Sequence, residues 1–404
     1  MRNGKGQLSP ALLMVQGVML LATAGLLAKF TIDTGIGHVM ARKAPSVALR
    51  YAPHNPDALA NQASLTLQQG TPGSIVRASN LALKATRYSP AQAKAYSVLG
   101  YVADATNHPE KADKLVAFSG SLSRRNLLTH LWFIEKYSAQ GDIDQTLRHY
   151  DLVLKTSQEG FAILLPVLIE AAKSPTIQAP LTKFLVKDPS WADPFLRDFI
   201  AKSDAPDALV MLAQRLRHAG HPLATERKLQ LLTRLVELER FDDAATVMGL
   251  KNRAAVFDGD FQQGNALGPF SWNLTNNYTY GAAREPQPAG KHALTFFAER
   301  SAGGTVARQL LVLPPGQYRL ATQASYGPEV APPRPSWQLI CAIANQKPLA
   351  TLDLPSTPKS TEASTTFSVP NGCNGQWITL RLQSPDDIES IIGQVDSIKI
   401  TRIM

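Results

Sequence analysis

The feature that most constrains this chain is a change of hydrophobic period near Val256. From about Ser46 to Leu250, Ala and Leu recur at helical spacing; after Phe257, apolar and polar residues alternate. The runs "HALTFFAER" and "GTVARQLLVLPPGQYRLATQASY" have period two, with turn residues at Gly303-Gly304 and Pro314-Pro315-Gly316. In "PSWQLICAI" the alternation sets Trp337, Leu339 and Cys341 on one face of a strand. In "GQWITLRL", Ile378, Leu380 and Leu382 make the better core face, which leaves Trp377 on the other. "TTFSVP" and "VDSIKITRI" supply further strands. One chain of 404 residues therefore has to hold two architectures, a helical array and a β-sandwich, and its fold class is multidomain α + β.

The N-terminus has a different character. Leu8 to Ala28 carries no charge, and at 1.5 Å per residue a helix of that length spans about 31 Å, close to the hydrocarbon core of a bilayer. Arg2 and Lys5 precede it, so the positive-inside rule sets a tail of residues 1–7 in the cytoplasm, an anchor over residues 8–30 and the bulk of the chain across the membrane. The chain is expected at a bacterial inner membrane with its bulk in the periplasm, and the bilayer is a partner through residues 8–28. A cleaved signal peptide is the rival, with Ala22–Ala24 as a small-residue site, but the apolar run continues past it. Cys341 and Cys373 are the two cysteines; in an oxidising compartment such a pair favours a disulfide, and two buried thiols are the alternative. The net charge of +9 comes from scattered residues with no block of like charge, which argues against nucleic acid as a partner.

The helical stretch contains repeats. Arg-Tyr-x-Pro occurs at Arg50 and again at Arg87, each time with a proline, Pro53 or Pro90, ahead of a helix. Leu99, Ala112 and Val116 recur 34 residues later as Phe133, Thr146 and Tyr150. "AQGDIDQTLRHY" and "LERFDDAATVM" have the form of an inter-helix turn and second helix. Residues 46–252 thus resemble a tetratricopeptide-type solenoid, with weaker consensus over 156–224. Small Gly100, Ala112 and Ala244 let paired helices approach, and Tyr96, Leu99, Phe133, Tyr137 and Tyr150 fill the space between pairs. The resemblance implies protein partners on the solenoid surface.

The last third, residues 255–404, opens with Asp258-Gly259-Asp260-Phe261-Gln262 followed by Trp272 and closes with Asp396-Ser397-Ile398-Lys399-Ile400. With "LPPGQYRLATQASY" between them, these runs resemble a carbohydrate-binding-module jelly roll, an antiparallel β-sandwich. The resemblance implies no cofactor beyond a structural calcium ion joining first and last strands, with Asp260 and Asp396 contributing; Gln262, where the family has an acid, removes a charge from that set. It also implies a glycan partner, since sugars stack apolar faces on aromatic rings. The candidate rings are Trp272, Tyr278, Tyr280, Tyr326 and Trp377, with the amides of "NLTNNYTYG" beside them.

Nothing in the chain has the form of a zincin, a P-loop, a dinucleotide fingerprint or a nucleophile elbow. Asp386, Asp387 and Glu389 have no facing carboxylate in sequence and suit a solvated turn. The chain is expected to have no catalytic residues. The architecture resembles envelope accessory proteins associated with exopolysaccharide assembly or export, which implies a non-enzymatic, membrane-anchored periplasmic adaptor; the alternative is an accessory subunit of a membrane complex whose β-domain makes only protein contacts.

Overall fold

The computed structural model describes residues 10–403 apart from 251–254, 265–267 and 344–346, and describes no side chain for 10–18, 21, 33 or 289. Among the described residues the chain forms fourteen α-helices followed by ten strands, and it divides into two compact units at Val167/Leu168.

The first unit begins with α1 (Pro10–Lys43). The expected anchor lies partly outside the described residues. No helix among the described residues is long and apolar enough to cross a membrane; the apolar run from Met19 ends at Lys29, with Asp33 in the next turn.

Seven helices follow: α2 (Pro45–Tyr51), α3 (Pro56–Leu67), α4 (Pro72–Tyr88), α5 (Ala93–Ala105), α6 (Pro109–Leu122), α7 (Leu127–Ala139) and α8 (Ile143–Thr156), with α9 (Gln158–Ala171) crossing the division. Local chemistry sets their starts. Proline, which has no N–H to leave unpaired, opens α2, α3, α4 and α6. The Asn55 side chain accepts from the Ala58 N–H, and Thr71 and Ser74 form a reciprocal capping box. Ala60 and Ala63 on α3 pack against Ala78, Ala82 and Ala85 on α4 and Ala95 on α5, so the helices approach through methyl groups. Gly100 lies on Val116 and Ala112, as its size requires, while Tyr150 is buried and Tyr96, Leu99, Phe133 and Tyr137 are half-buried.

Two polar clusters lie between these helices. Ser97, Ser119 and Thr129, all fully buried, share their hydroxyls at 2.8–2.9 Å, and the Asn126 amide donates to Ser97 at 2.6 Å and Ser119 at 2.9 Å. The second cluster is a histidine pair. His130 Nε2–H donates to the Arg124 carbonyl at 2.8 Å, so its Nδ1 accepts from His149 Nδ1–H at 3.0 Å. Burial, then the charges of His130 and Arg148, lower the His149 pKa to about 4 from 6.5, and burial lowers that of His130. The unfolded chain takes up protons first, so this contribution is whole above pH 6.5 and is lost as pH falls toward 4. After discounting for the half-exposed ring it amounts to roughly 1–2 kcal/mol. Urea midpoints should fall less between neutral and acid pH in His149→Phe than in the unchanged chain; equal falls would refute the assignment.

The second unit contains α10 (Pro175–Leu185), α11 (Ala192–Lys202), α12 (Pro206–His218), α13 (Thr225–Glu237) and α14 (Phe241–Met248). Buried Trp191, Phe195 and Phe199 form their centre. Arg227–Asp193 at 2.8 Å and Arg240–Asp207 at 2.6 Å link successive hairpins near the surface.

The ten strands form two antiparallel five-stranded sheets packed as a sandwich. The first sheet runs β1 (Asn273–Leu274), β4 (Gly303–Leu311), β9 (Gln376–Gln383), β6 (Ser336–Cys341), β7 (Ala350–Asp353). The second runs β2 (Tyr280–Pro286), β3 (His292–Glu299), β10 (Ser390–Arg402), β5 (Gly316–Gly327), β8 (Thr361–Val369). The inward faces follow the alternation of the sequence: Leu294 and Phe296, Leu320 and Ala324, Trp337 and Leu339, Ile378 and Leu380 are all buried. Cys341 and Cys373 are joined by a disulfide that closes a separation of 32 residues, a constraint of about 4 kcal/mol on the unfolded chain. The helices of this unit meet the sandwich where Phe241 packs on Gly375 and Leu229 and Leu232 approach Gly268.

Candidate functional site

Because side chains alternate along a strand, the outward face of the second sheet is built from cross-strand rows. One row runs Gly281, Phe297, Ile392, Gly327; the next runs Ala283, Thr295, Gln394, Ser325. The first is apolar, with Ile392 64% exposed and Phe297 half-buried. The second offers hydroxyl and amide groups. Together they floor a cleft of about 780 Å³, within the size range of small-ligand and oligomer sites. Asn276 also lines it, and two loops border it, Pro328–Glu329 after β5 and Ser356–Pro358 before β8.

The five aromatic rings expected at a sugar site do not converge there. Trp272 is half-buried in a chain of rings, with centroids 5.6 Å from Phe261 and 5.4 Å from Trp337, and its Nε1–H donates to the Asp258 carbonyl at 3.0 Å. Tyr280 packs against the sandwich core and over Gly304. Tyr326 borders the cleft but is 4% exposed, its ring in the core; burial pushes its hydroxyl above the usual phenol pKa. Trp377 faces outward from the other sheet, covered by the Arg308 guanidinium 3.6 Å from its centroid. Tyr278 alone of the five is fully exposed. It stands two residues from Asn276 in a loop fixed by the Asn277 side chain, which accepts from the N–H groups of Thr279 and Tyr280 at 2.9 Å each.

The carboxylates expected to hold calcium are likewise apart in role. Asp260 is exposed in the opening turn; Asp396 sits at the irregular pairing between Val395 and Ser397 and accepts from the Gln394 amide at 3.1 Å. The loop is fastened by protein groups. Arg284 donates to the carbonyls of Phe261 and Gln262, Gln262 donates to His292 at 2.9 Å, and Asp258 accepts from the Gln263 N–H at 2.8 Å. Burial, with the nearby Asp260 charge, raises the Asp258 pKa above its ordinary value. Calcium needs six to eight oxygens. Here a guanidinium takes up two carbonyls of the opening loop, and among the described residues no group of three or more His, Cys, Asp or Glu could hold a metal. The donor set does not fit calcium.

Apart from Tyr326 and Asn276, the cleft residues lie outside a sequence reading built on Trp and Tyr rings. A signal existed in the Phe296-Phe297 pair: alternation sends one ring to the core and the other to the outer face.

No protein-family model matches the chain, and no curated protein does. Solved structures are distantly similar. A tailspike protein 4 enzymatically active domain from bacteriophage CBA120 is 14% identical over 37% of this chain and 21% of its own, with a TM-score of 0.28. This chain thus spans about a fifth of that structure's length. A structure described as a family 4 carbohydrate-binding module is 15% identical over 34% of this chain and 99% of its own, TM-score 0.25. The pilF protein of Pseudomonas aeruginosa is 15% identical over 48% of this chain and 88% of its own, TM-score 0.26.

Proposed function

We propose that the second-sheet cleft binds a saccharide chain and that the helical repeats bind protein, so that the molecule acts as a non-enzymatic adaptor. The observation that carries this is the pairing of an apolar row, Phe297 and Ile392, with a row of hydroxyl and amide groups, Thr295, Gln394 and Ser325, along one open cleft. A pyranose offers the same two surfaces, C–H faces and hydroxyl edges. In this reading the sandwich is a jelly roll of carbohydrate-binding type. The run Leu8–Ala28 anchors the chain at a bacterial inner membrane, with the bulk in the periplasm and a role in exopolysaccharide assembly or export. The anchor finds support in α1 itself, where Leu20, Leu26, Leu27, Phe30 and Ile32 are each more than half exposed, an unpartnered apolar surface on more than one side of the helix.

The test is affinity electrophoresis and a glycan array with the full chain. Phe297→Ala should weaken retention by about tenfold, the effect of removing a ring from a sugar contact, and Trp377→Ala should leave it unchanged. No retention on any polysaccharide would sink the proposal.

A second reading has its own observation. Trp272, Tyr280 and Tyr326 turn into the sandwich, which suits a β-domain that makes only protein contacts in a membrane complex.

A further inference from the structure

The charge of the cleft opposes the charge of the chain. The chain carries 41 Lys and Arg against 32 Asp and Glu. Among the residues that line the cleft there is no Lys, Arg or His, and the two charged ones are both carboxylates, Glu285 and Glu329. Glu329 faces Arg334 from its own loop at 3.5 Å. Glu285 is exposed near the end of β2 and forms no ion pair among the described residues. Its neighbour Arg284 turns to the opposite side of the strand and donates to the carbonyls of Phe261 and Gln262. The remaining polar groups of the floor, Thr295, Gln394 and Ser325, are neutral.

This arrangement discriminates among glycans by charge. A uronate or sulfated chain would bring anions beside Glu285 with no cation to offset them. A neutral chain would use the floor alone. A chain with free amino groups would use the floor and would also set an ammonium against Glu285. We infer that the cleft takes a basic glycan, a hexosamine polymer with unacetylated amino groups, and that Glu285 is its charge-selecting residue. The inference rests on the reading of the cleft as a saccharide site.

The experiment is calorimetric titration of the full chain with a glucosamine oligomer, its N-acetylated counterpart, a glucose oligomer and an oligogalacturonate of equal length. Mildly acidic, low-salt buffer keeps the amines protonated and the pair unscreened. The glucosamine oligomer should bind about threefold tighter than the neutral ones, the range of an exposed ion pair. The advantage should shrink with added salt and vanish in Glu285→Gln, an isosteric change at an exposed position, while Glu329→Gln keeps it. Equal affinity for amine and neutral oligomers, a preference for oligogalacturonate, or an advantage that follows Glu329 instead would overturn the inference and leave the saccharide cleft standing. No binding of any oligomer would overturn both.

Discussion

Trp337→Ala is expected to cost the sandwich about 3–5 kcal/mol, enough to unfold it in a marginal background. Trp337 is fully buried and belongs to both sheets in effect. It rises from β6 in the first sheet, and its Nε1–H donates to the Thr322 hydroxyl on β5 in the second at 3.2 Å; that hydroxyl donates onward to the Ser397 carbonyl of β10 at 3.0 Å. Its ring also supports Trp272, which in turn packs on Phe261 of the opening stretch. Truncation would leave a cavity, a Thr322 oxygen without its donor and a loosened opening loop. Chemical denaturation read by hydrogen exchange in β5 and β10 measures the loss. A change under 1 kcal/mol would show that the rings around it close the gap and that the cross-sheet link has little weight.

Gly259→Ala is expected to destabilise the same domain by about 1–3 kcal/mol through the opposite fault, overpacking. The added methyl group would meet the carbonyl oxygen of Ile398, a backbone atom of the last strand that has no rotamer to yield. The Gly259 carbonyl accepts from the Ile398 N–H at 2.7 Å, so the clash also strikes the bond that ties the opening turn to β10. Thermal unfolding of the variant should begin with release of residues near Asp258, seen as early exchange of the Gln263 and Ile398 amides. A variant as stable as the parent would mean that the turn can shift away at no cost. Alanine at Gly290, where an added methyl group meets nothing within 4 Å but φ is +72°, separates backbone strain from collision.

The contrast between those two residues shows what sequence could and could not convey. Period two assigned Trp337 to the core because its neighbours Leu339 and Cys341 lie on the same face, and that face is buried. It also sent Trp377 outward correctly, yet the ring is covered by Arg308 from the neighbouring strand, a contact between residues far apart in sequence. Trp272 escaped the rule because it precedes a strand of two residues, too short to carry an alternation. The repeat signal in the helices was legible because small residues are demanded wherever helices touch, as at Gly100 against Val116. The cleft was not, since it is assembled from rows that run across four strands and from two loops. Each row takes one residue from each strand, and no linear window contains it.

The shared hydroxyls of Ser97, Ser119, Thr129 and the Asn126 amide have a consequence for how this array can change. Four polar groups from α5, α6, the turn before α7 and α7 itself bond to one another in a place closed to water, with the Ser119 hydroxyl also donating to the Ala93 carbonyl at 2.7 Å and the Asn126 Oδ1 left without a partner. Any one of them replaced by an apolar residue strands the others, while replacement of the whole set by apolar residues of like shape can be close to neutral. The helices here are thus not freely exchangeable modules, whatever the regularity of their spacing. A hairpin grafted in from another repeat would fit only if it carried its share of the cluster, so lineages of this chain should change these positions together or leave them alone.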